Sequence, residues 1–252
     1  MTRALPWLLI LLAVLQPLTG AFAALTGLGT PIGEASRNIN APEQPLPAFF
    51  SIWGVIFLAY GAFGVAGFLR PADWYARVGQ PLLIAGAFNI VWMLSAQLIA
   101  LQPLDYAMLF PILIASWRAA AVLNDIPPSE PKVTWRLADL ASGLLSGWIV
   151  AAVSVSTPLT LRSLTTLGPT DFPWPMFWTA IAFAGLAAWV FAVRISRTPW
   201  FFVALSWGLV GIALNNWLRT GMHWIAFMAA VATATILLLR VTRGAKRSKP
   251  GA

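Results

Sequence analysis

The stretch QPLPAFFSIWGVIFLAYGAFGVAGFL, residues 44 to 69, carries no charged side chain. It exceeds the roughly 20 residues with which a helix crosses the hydrocarbon core of a bilayer. Proline is tolerated in a helix's first turn, where its missing N–H has no partner to lose, so Pro45 and Pro47 place the helix start near Pro47. Phe50 and Trp53 then lie one to two turns below the surface. A tryptophan inside a spanning helix, away from the interfacial belt and beside Phe49, Phe50 and Phe57, calls for a packing partner or a ligand.

The rest of the chain repeats this pattern. Of the 252 residues 59% are apolar and 10% charged, with 14 Trp and 15 Phe, which leaves too little polar surface for a soluble globule. Charge-free stretches also cover 4 to 33, 78 to 104, 140 to 161, 172 to 193, 198 to 218 and 220 to 239. An eighth candidate, 104 to 123, contains Arg118, which has to snorkel from its end. Charge supports keeping it. With eight spans and a cytoplasmic N-terminus, 13 of the 16 basic residues fall inside, and only Arg37, Arg162 and Arg219 fall outside. Without that span the split becomes 5 inside and 11 outside. The net charge of +8 is therefore mostly a topology signal, and no nucleic-acid partner follows from it. The basic run from Arg243 to Lys249 is a solvated anchor that can also touch anionic lipid. With no cysteine in the chain, disulfides, thiol nucleophiles and thiolate metal sites are excluded.

The first span has two readings. Arg3, the apolar run from Ala4 and the small residues around Ala21-Phe22-Ala23 resemble a secretory signal. The apolar run continues to Ile32, however, which favours a retained helix. The longer connections are 27 to 45, 124 to 136 and 159 to 173, and the second, with Pro127, Pro128 and Pro131, reads as a stiff cytoplasmic linker. Small residues that permit close helix contact recur at Gly61, Gly64 and Gly67, at Gly143 and Gly147, and at Gly208 and Gly211.

No ionisable side chain sits at the middle of a span, which disfavours a proton or ion relay. The single histidine, His223, lies at the outer start of the last helix and makes no metal site alone. Asp139 suits a helix start. Ser142, Ser146 and Ser154 have no evident base, so no hydrolase triad can be assembled, and their expected role is bonding to backbone. Asn89 stands out, because an amide deep in lipid must find a partner. Asn89 and Trp92 share one helix face, and Phe50, Trp53 and Phe57 share another. Two readings are open. These faces form an aromatic pocket oriented by one amide, or they pack tightly with Asn89 bonded to a neighbouring helix.

At these residues the sequence resembles the TspO/MBR family, the tryptophan-rich sensory proteins related to the translocator protein, and within it the longer branch with extra C-terminal helices. The resemblance rests on Gly33-Glu34-Ala35-Ser36, Pro45, Phe50-Ser51-Ile52-Trp53-Gly54, Asn89-Ile90-Val91-Trp92, Gly147-Trp148-Ile149, Trp207-Gly208 and Gly211-Ile212-Ala213. It implies a membrane protein that binds tetrapyrroles such as porphyrins, and other flat hydrophobic molecules, within a five-helix core. Carried over by position, Trp53, Phe57, Asn89 and Trp92 line the cavity; the full candidate set is Phe50, Trp53, Phe57, Asn89, Trp92 and Trp148. Phe57 stands where short members have Tyr, and Gly147-Trp148, Ala151 and Leu159 depart from their fifth helix, so part of the porphyrin-contacting set is absent.

The expectation is an all-α polytopic bundle of about eight spans with both termini cytoplasmic. Residues 1 to 160 form a five-helix core, 161 to 241 add three helices, and 242 to 252 form a basic tail. The expected function is binding of a planar hydrophobic ligand, tetrapyrrole-like or lipid, in a sensory or regulatory role in the inner cell membrane. No required cofactor, no metal and no catalytic residue enter this reading, which makes the protein a binder before an enzyme; a homodimer is a further expectation. The alternative is a transporter of a small hydrophobic or amphipathic solute.

Overall fold

The structure is a computed structural model that describes residues 4–32, 34, 41–128 and 131–242. The basic tail from Arg243 and most of the Gly33–Ser36 motif lie outside the described residues. The chain forms α1 (Ala4–Gly20), α2 (Ile52–Leu69), α3 (Tyr75–Leu98), α4 (Gln102–Asn124), α5 (Lys132–Ser163), α6 (Pro173–Val190), α7 (Pro199–Asn215) and α8 (His223–Thr242). A short helical turn, Phe22–Thr26, follows α1, and a 3-10 turn, Pro47–Ser51, leads into α2, as Pro47 predicts. Prolines at the first positions of α4, α6 and α7 set their starts in the same way. Both α6 and α7 end in a π-helical turn, and the second closes at Gly221, whose φ of 71° is open to glycine without strain.

Seven of these helices, counting the turns that extend α2, α6 and α7, are long and apolar enough to span a membrane. The weak fourth candidate is one of them. The first helix is shorter, at 17 residues or about 26 Å. Leu58, Ile114, Leu186 and Phe227 stand exposed on the outside of the bundle, an apolar surface that a bilayer covers. The chain is a multi-pass membrane protein.

The helices pack as two rings that share α5. In the first, α1 meets α2 and α3, α3 meets α4, α4 meets α5, and α5 returns to α2. In the second, α5 meets α6 and α7, and both of those meet α8. The shared helix is accordingly the most buried, with Ile149, Val150 and Val153 fully enclosed.

Glycines set the closest approaches. A Cβ on Gly64 would lie 2.7 Å from the Ile10 side chain, and one on Gly86 would lie 2.7 Å from Leu12, so α1 seats directly on α2 and α3. On α5, Gly143, Gly147 and Ala151 recur every four residues and face α7. A Cβ on Gly143 would meet Trp200 at 2.7 Å, one on Gly147 would meet the Phe201 carbonyl oxygen at 2.1 Å, and Ala151 occupies the space left by Gly208.

One expectation is corrected. The segment before Trp135 is only partly a linker, since α5 begins at Lys132 and runs for 32 residues, about 48 Å, well beyond the hydrocarbon thickness. Pro127 and Pro128 follow the end of α4, but no helix breaker lies between Pro131 and the charge-free run, and the Trp135 indole donates to the Ile126 carbonyl at 3.2 Å.

Gly147→Ala is expected to cost about 1–3 kcal/mol, because a carbonyl rather than a flexible side chain blocks the added methyl. Gly54→Ala, where an added Cβ meets nothing within 4 Å, should stay within about 0.5 kcal/mol of the parent. Denaturation of the purified protein in detergent compares the two.

Candidate ligand-binding cavity

The segment from Ala41 to Ser51, ahead of α2, lies across α7. Its Leu46 N–H donates to the Gly211 carbonyl at 2.9 Å, and the Trp207 indole donates to the Phe49 carbonyl at 2.7 Å. Asn216 donates to the Pro42 carbonyl at 2.6 Å and Asn215 to that of Ala41 at 3.4 Å. Gly211 leaves room for Pro45 and Phe49, which would sit 2.8 and 2.9 Å from an added Cβ. An ion pair fixes the same segment to α5, with Arg162 Nε 3.0 Å from Glu43 Oε1 and both side chains buried. Arg162 Nη2 donates to the other Glu43 oxygen at 3.5 Å and Nη1 to the Gly168 and Asp171 carbonyls, so the pair is enclosed in hydrogen bonds. Burial holds the Glu43 carboxyl above its ordinary value, and the hydrogen bond from Arg162 opposes the shift. Arg162, expected in an outer loop, is thus the last-turn residue of α5 and the anchor of this strap.

Beneath the strap lies a cavity of about 350 Å³. Its walls come from Trp53 of α2, Trp92 and Ala96 of α3, Trp148 to Leu159 of α5, Ala180 to Ala184 of α6, and Leu205 to Ile212 of α7, with Gln44, Pro45 and Phe50 above. The aromatic side is one mutually packed group. Trp53 lies 6.1 Å from Trp92 and 6.2 Å from Trp148, and Phe50 meets Trp148 edge-on at 5.7 Å. The polar side holds Gln44, Gln102, Asp105, Ser154 and Ser156. Asp105 accepts from Ser95 at 2.8 Å, and the Ser154 hydroxyl is turned onto the Val150 carbonyl at 2.7 Å. Pro158 supplies no N–H to the Ser154 carbonyl four residues earlier, which leaves a further acceptor at this wall. Two buried atoms of the lining, Trp148 Nε1 and Gln44 Oε1, have no hydrogen-bond partner among the described residues.

Of the six candidates read from the sequence, Phe50, Trp53, Trp92 and Trp148 line the cavity and two do not. Phe57 stacks behind Trp53 at 5.5 Å and supports it. Asn89 lies elsewhere, fully buried, donating to Gln16 Oε1 of α1 at 2.8 Å. Gln97, two turns on, grips the end of α1 and the turn after it, donating to the Thr19 carbonyl at 2.7 Å and accepting from the Ala23 N–H at 2.9 Å. Of the two readings of Asn89, bonding to a neighbouring helix is the one observed. The serine expectation also stands for Ser142 and Ser154, which donate to backbone four residues earlier.

A protein-family model described as TSPO-like protein matches residues 6–242, nearly the whole chain, including α6 to α8 and the strap as well as the first ring. The chain belongs to the TSPO-like family. Searches of curated proteins and of solved structures match nothing.

Several lining residues of this TSPO-like chain escape a reading by motif. Gln102 and Asp105 sit in the first turn of α4, where an acidic residue is already explained by the helix dipole. The small residues of α6 and α7 carry no chemistry of their own. The pair Asn215-Asn216, two amides at the end of an apolar helix, was the available signal that a backbone segment would be held there.

Asn89→Ala and Gln16→Ala should each destabilise the protein by about 0.5–2 kcal/mol, with the double variant falling short of the sum by a similar coupling energy. Arg162→Gln should cost about 3–5 kcal/mol, since it leaves Glu43 buried without its counter-charge. Unfolding of the four variants in one detergent measures both effects.

Proposed function

We propose that this TSPO-like protein binds a flat hydrophobic molecule in the cavity beneath the strap. One observation carries the reading: three tryptophans and a phenylalanine border one side of a partly open cavity whose other side gathers a carboxylate, two amides and two hydroxyls. Such a site favours a ligand with an apolar, planar body and one polar edge. The body packs on Trp53, Trp92 and Trp148, and the edge meets Asp105, Gln102 and Gln44. A ligand donor answers the unpartnered Gln44 oxygen, and a ligand acceptor answers the Trp148 indole N–H; unmet buried groups of this kind cost about 1–3 kcal/mol each. The volume is near the lower end of small-molecule sites, which run from about 300 to 1,000 Å³. That ranks a compact planar molecule first; a tetrapyrrole or a lipid chain belongs to the same chemistry and requires the strap or side chains to shift.

The role is sensory or regulatory, since binding couples directly to a strap held by Glu43 and Arg162. The membrane is the inner cell membrane, with both termini cytoplasmic, in keeping with the placement of basic residues in the sequence.

Quenching of tryptophan emission by protoporphyrin and by smaller planar aromatics tests the proposal. Trp53→Ala and Trp148→Ala should weaken binding by about tenfold or more, equivalent to about 1.4 kcal/mol, whereas Asn89→Ala should bind within about threefold of the parent. Ala152→Phe, which projects a ring into the cavity, should abolish saturable quenching. Parent-like titrations for both tryptophan variants and the filled variant would remove the cavity from consideration.

A further inference from the structure

At the opposite end of the bundle from the strap, a second cavity of about 570 Å³ opens between the start of α5, the α6–α7 connection, the end of α4 and the end of α8. Its character is the reverse of the first. Lys132 and Arg136 come from the first turns of α5, Arg197 from the connection, and Arg240 from the last turn of α8, while Asp139 is the one carboxylate among the described residues of the lining. Among the described residues of the lining, four cations stand against one anion.

Two features separate this arrangement from basic residues that merely mark a membrane face. Residues marking a face can splay apart into water, whereas these are drawn from three chain segments onto one hollow, where like charges repel. The Arg240 Nε is also buried and has no hydrogen-bond partner among the described residues, so a charged donor is held at the wall without an acceptor there. The rest of the lining is ordered and polar: Asn124 accepts from the Arg197 N–H at 3.1 Å, and the Ser196 hydroxyl accepts from the Thr198 N–H at 3.2 Å. The N-termini of α5 and α7 add partial positive charge, and the C-termini of α4, α6 and α8 offset it, so the positive character comes from the side chains.

We infer that this cavity binds a phosphate group, with Arg136, Arg197 and Arg240 as its charged donors. Guanidinium groups match phosphate oxygens in geometry, and such hydrogen bonds strengthen where water is partly excluded. The phosphate can belong to an anionic lipid headgroup or to a soluble phosphorylated molecule, and the site stands independently of any ligand under the strap. The orientation expected from the sequence puts it on the cytoplasmic side, where anionic lipid and phosphate esters are both present.

Thermal unfolding of the full chain in a neutral detergent tests this with three additions at matched ionic strength: phosphatidylglycerol, phosphatidylcholine and inorganic phosphate. A lipid site predicts an upward shift with phosphatidylglycerol and none with the other two. A site for soluble phosphate predicts a concentration-dependent shift with inorganic phosphate. In either case Arg136→Gln and Arg197→Gln, both at exposed positions, should weaken the apparent affinity by about tenfold, and Arg194→Gln, exposed outside the cavity, should leave it unchanged. The absence of any shift, an equal shift with phosphatidylcholine, or parent-like affinity in both cavity variants would overturn the proposal.

Discussion

The close approach of α5 and α7 is the constraint on which the arrangement rests. Gly143, Gly147 and Ala151 strip one face of α5 of side-chain bulk, and Phe201, Ala204 and Gly208 of α7 fill the space. In lipid no water is gained by separating such faces, and their attraction is dispersion summed over close contacts, which falls off steeply with distance. Because α7 comes this near, its later residues reach the strap and its middle residues wall the cavity. Of the α5 positions that depart from the pattern of the short family members, Gly147 and Ala151 are therefore accounted for by packing. Ala151 takes part in the seat of α7 as well as in the cavity lining.

The strap is the second consequence. Backbone that is neither helix nor strand needs its buried polar groups met, and here α7 meets several of them with the Gly211 carbonyl, the Trp207 indole and two asparagine amides. Glu43 and Arg162 close the same segment from the side of α5. A buried ion pair offers little net stability over an apolar pair of similar shape, but breaking it is costly, which suits a fixture that holds one conformation of a cover.

Much of this was legible in the sequence, for definable reasons. Charge-free length and the distribution of Lys and Arg located the spans, including α4, because charge in lipid is costly enough to leave a mark on any sequence. The aromatic residues Phe50, Trp53, Trp92 and Trp148 were found as a group, since large rings inside the bilayer require a partner. Asn89 was selected for the right reason, an amide that needs a bond, but the partner was Gln16 in the first helix. Which neighbour answers a buried polar group depends on helix rotation and contact order around the ring, and periodicity along one helix does not encode either. For the same reason the contributions of α6 and α7 to the cavity were invisible: alanine and glycine report only that something comes close. The extra two turns of α5 were missed because charge was taken as the end of the helix, although Lys132 to Arg136 can lie in a helix that projects from the membrane.

The central claim is that the cavity belongs to both rings, bounded by Trp53 and Trp148 on one side and by α7 beneath the strap on the other. An experimental density map of the purified protein saturated with a planar aromatic ligand tests it most directly. The account predicts ligand density in contact with Trp53, Trp148 and Leu209 under an intact Glu43–Arg162 pair. Density confined to the first ring around Asn89, with α7 making no contact to the ligand, would contradict it.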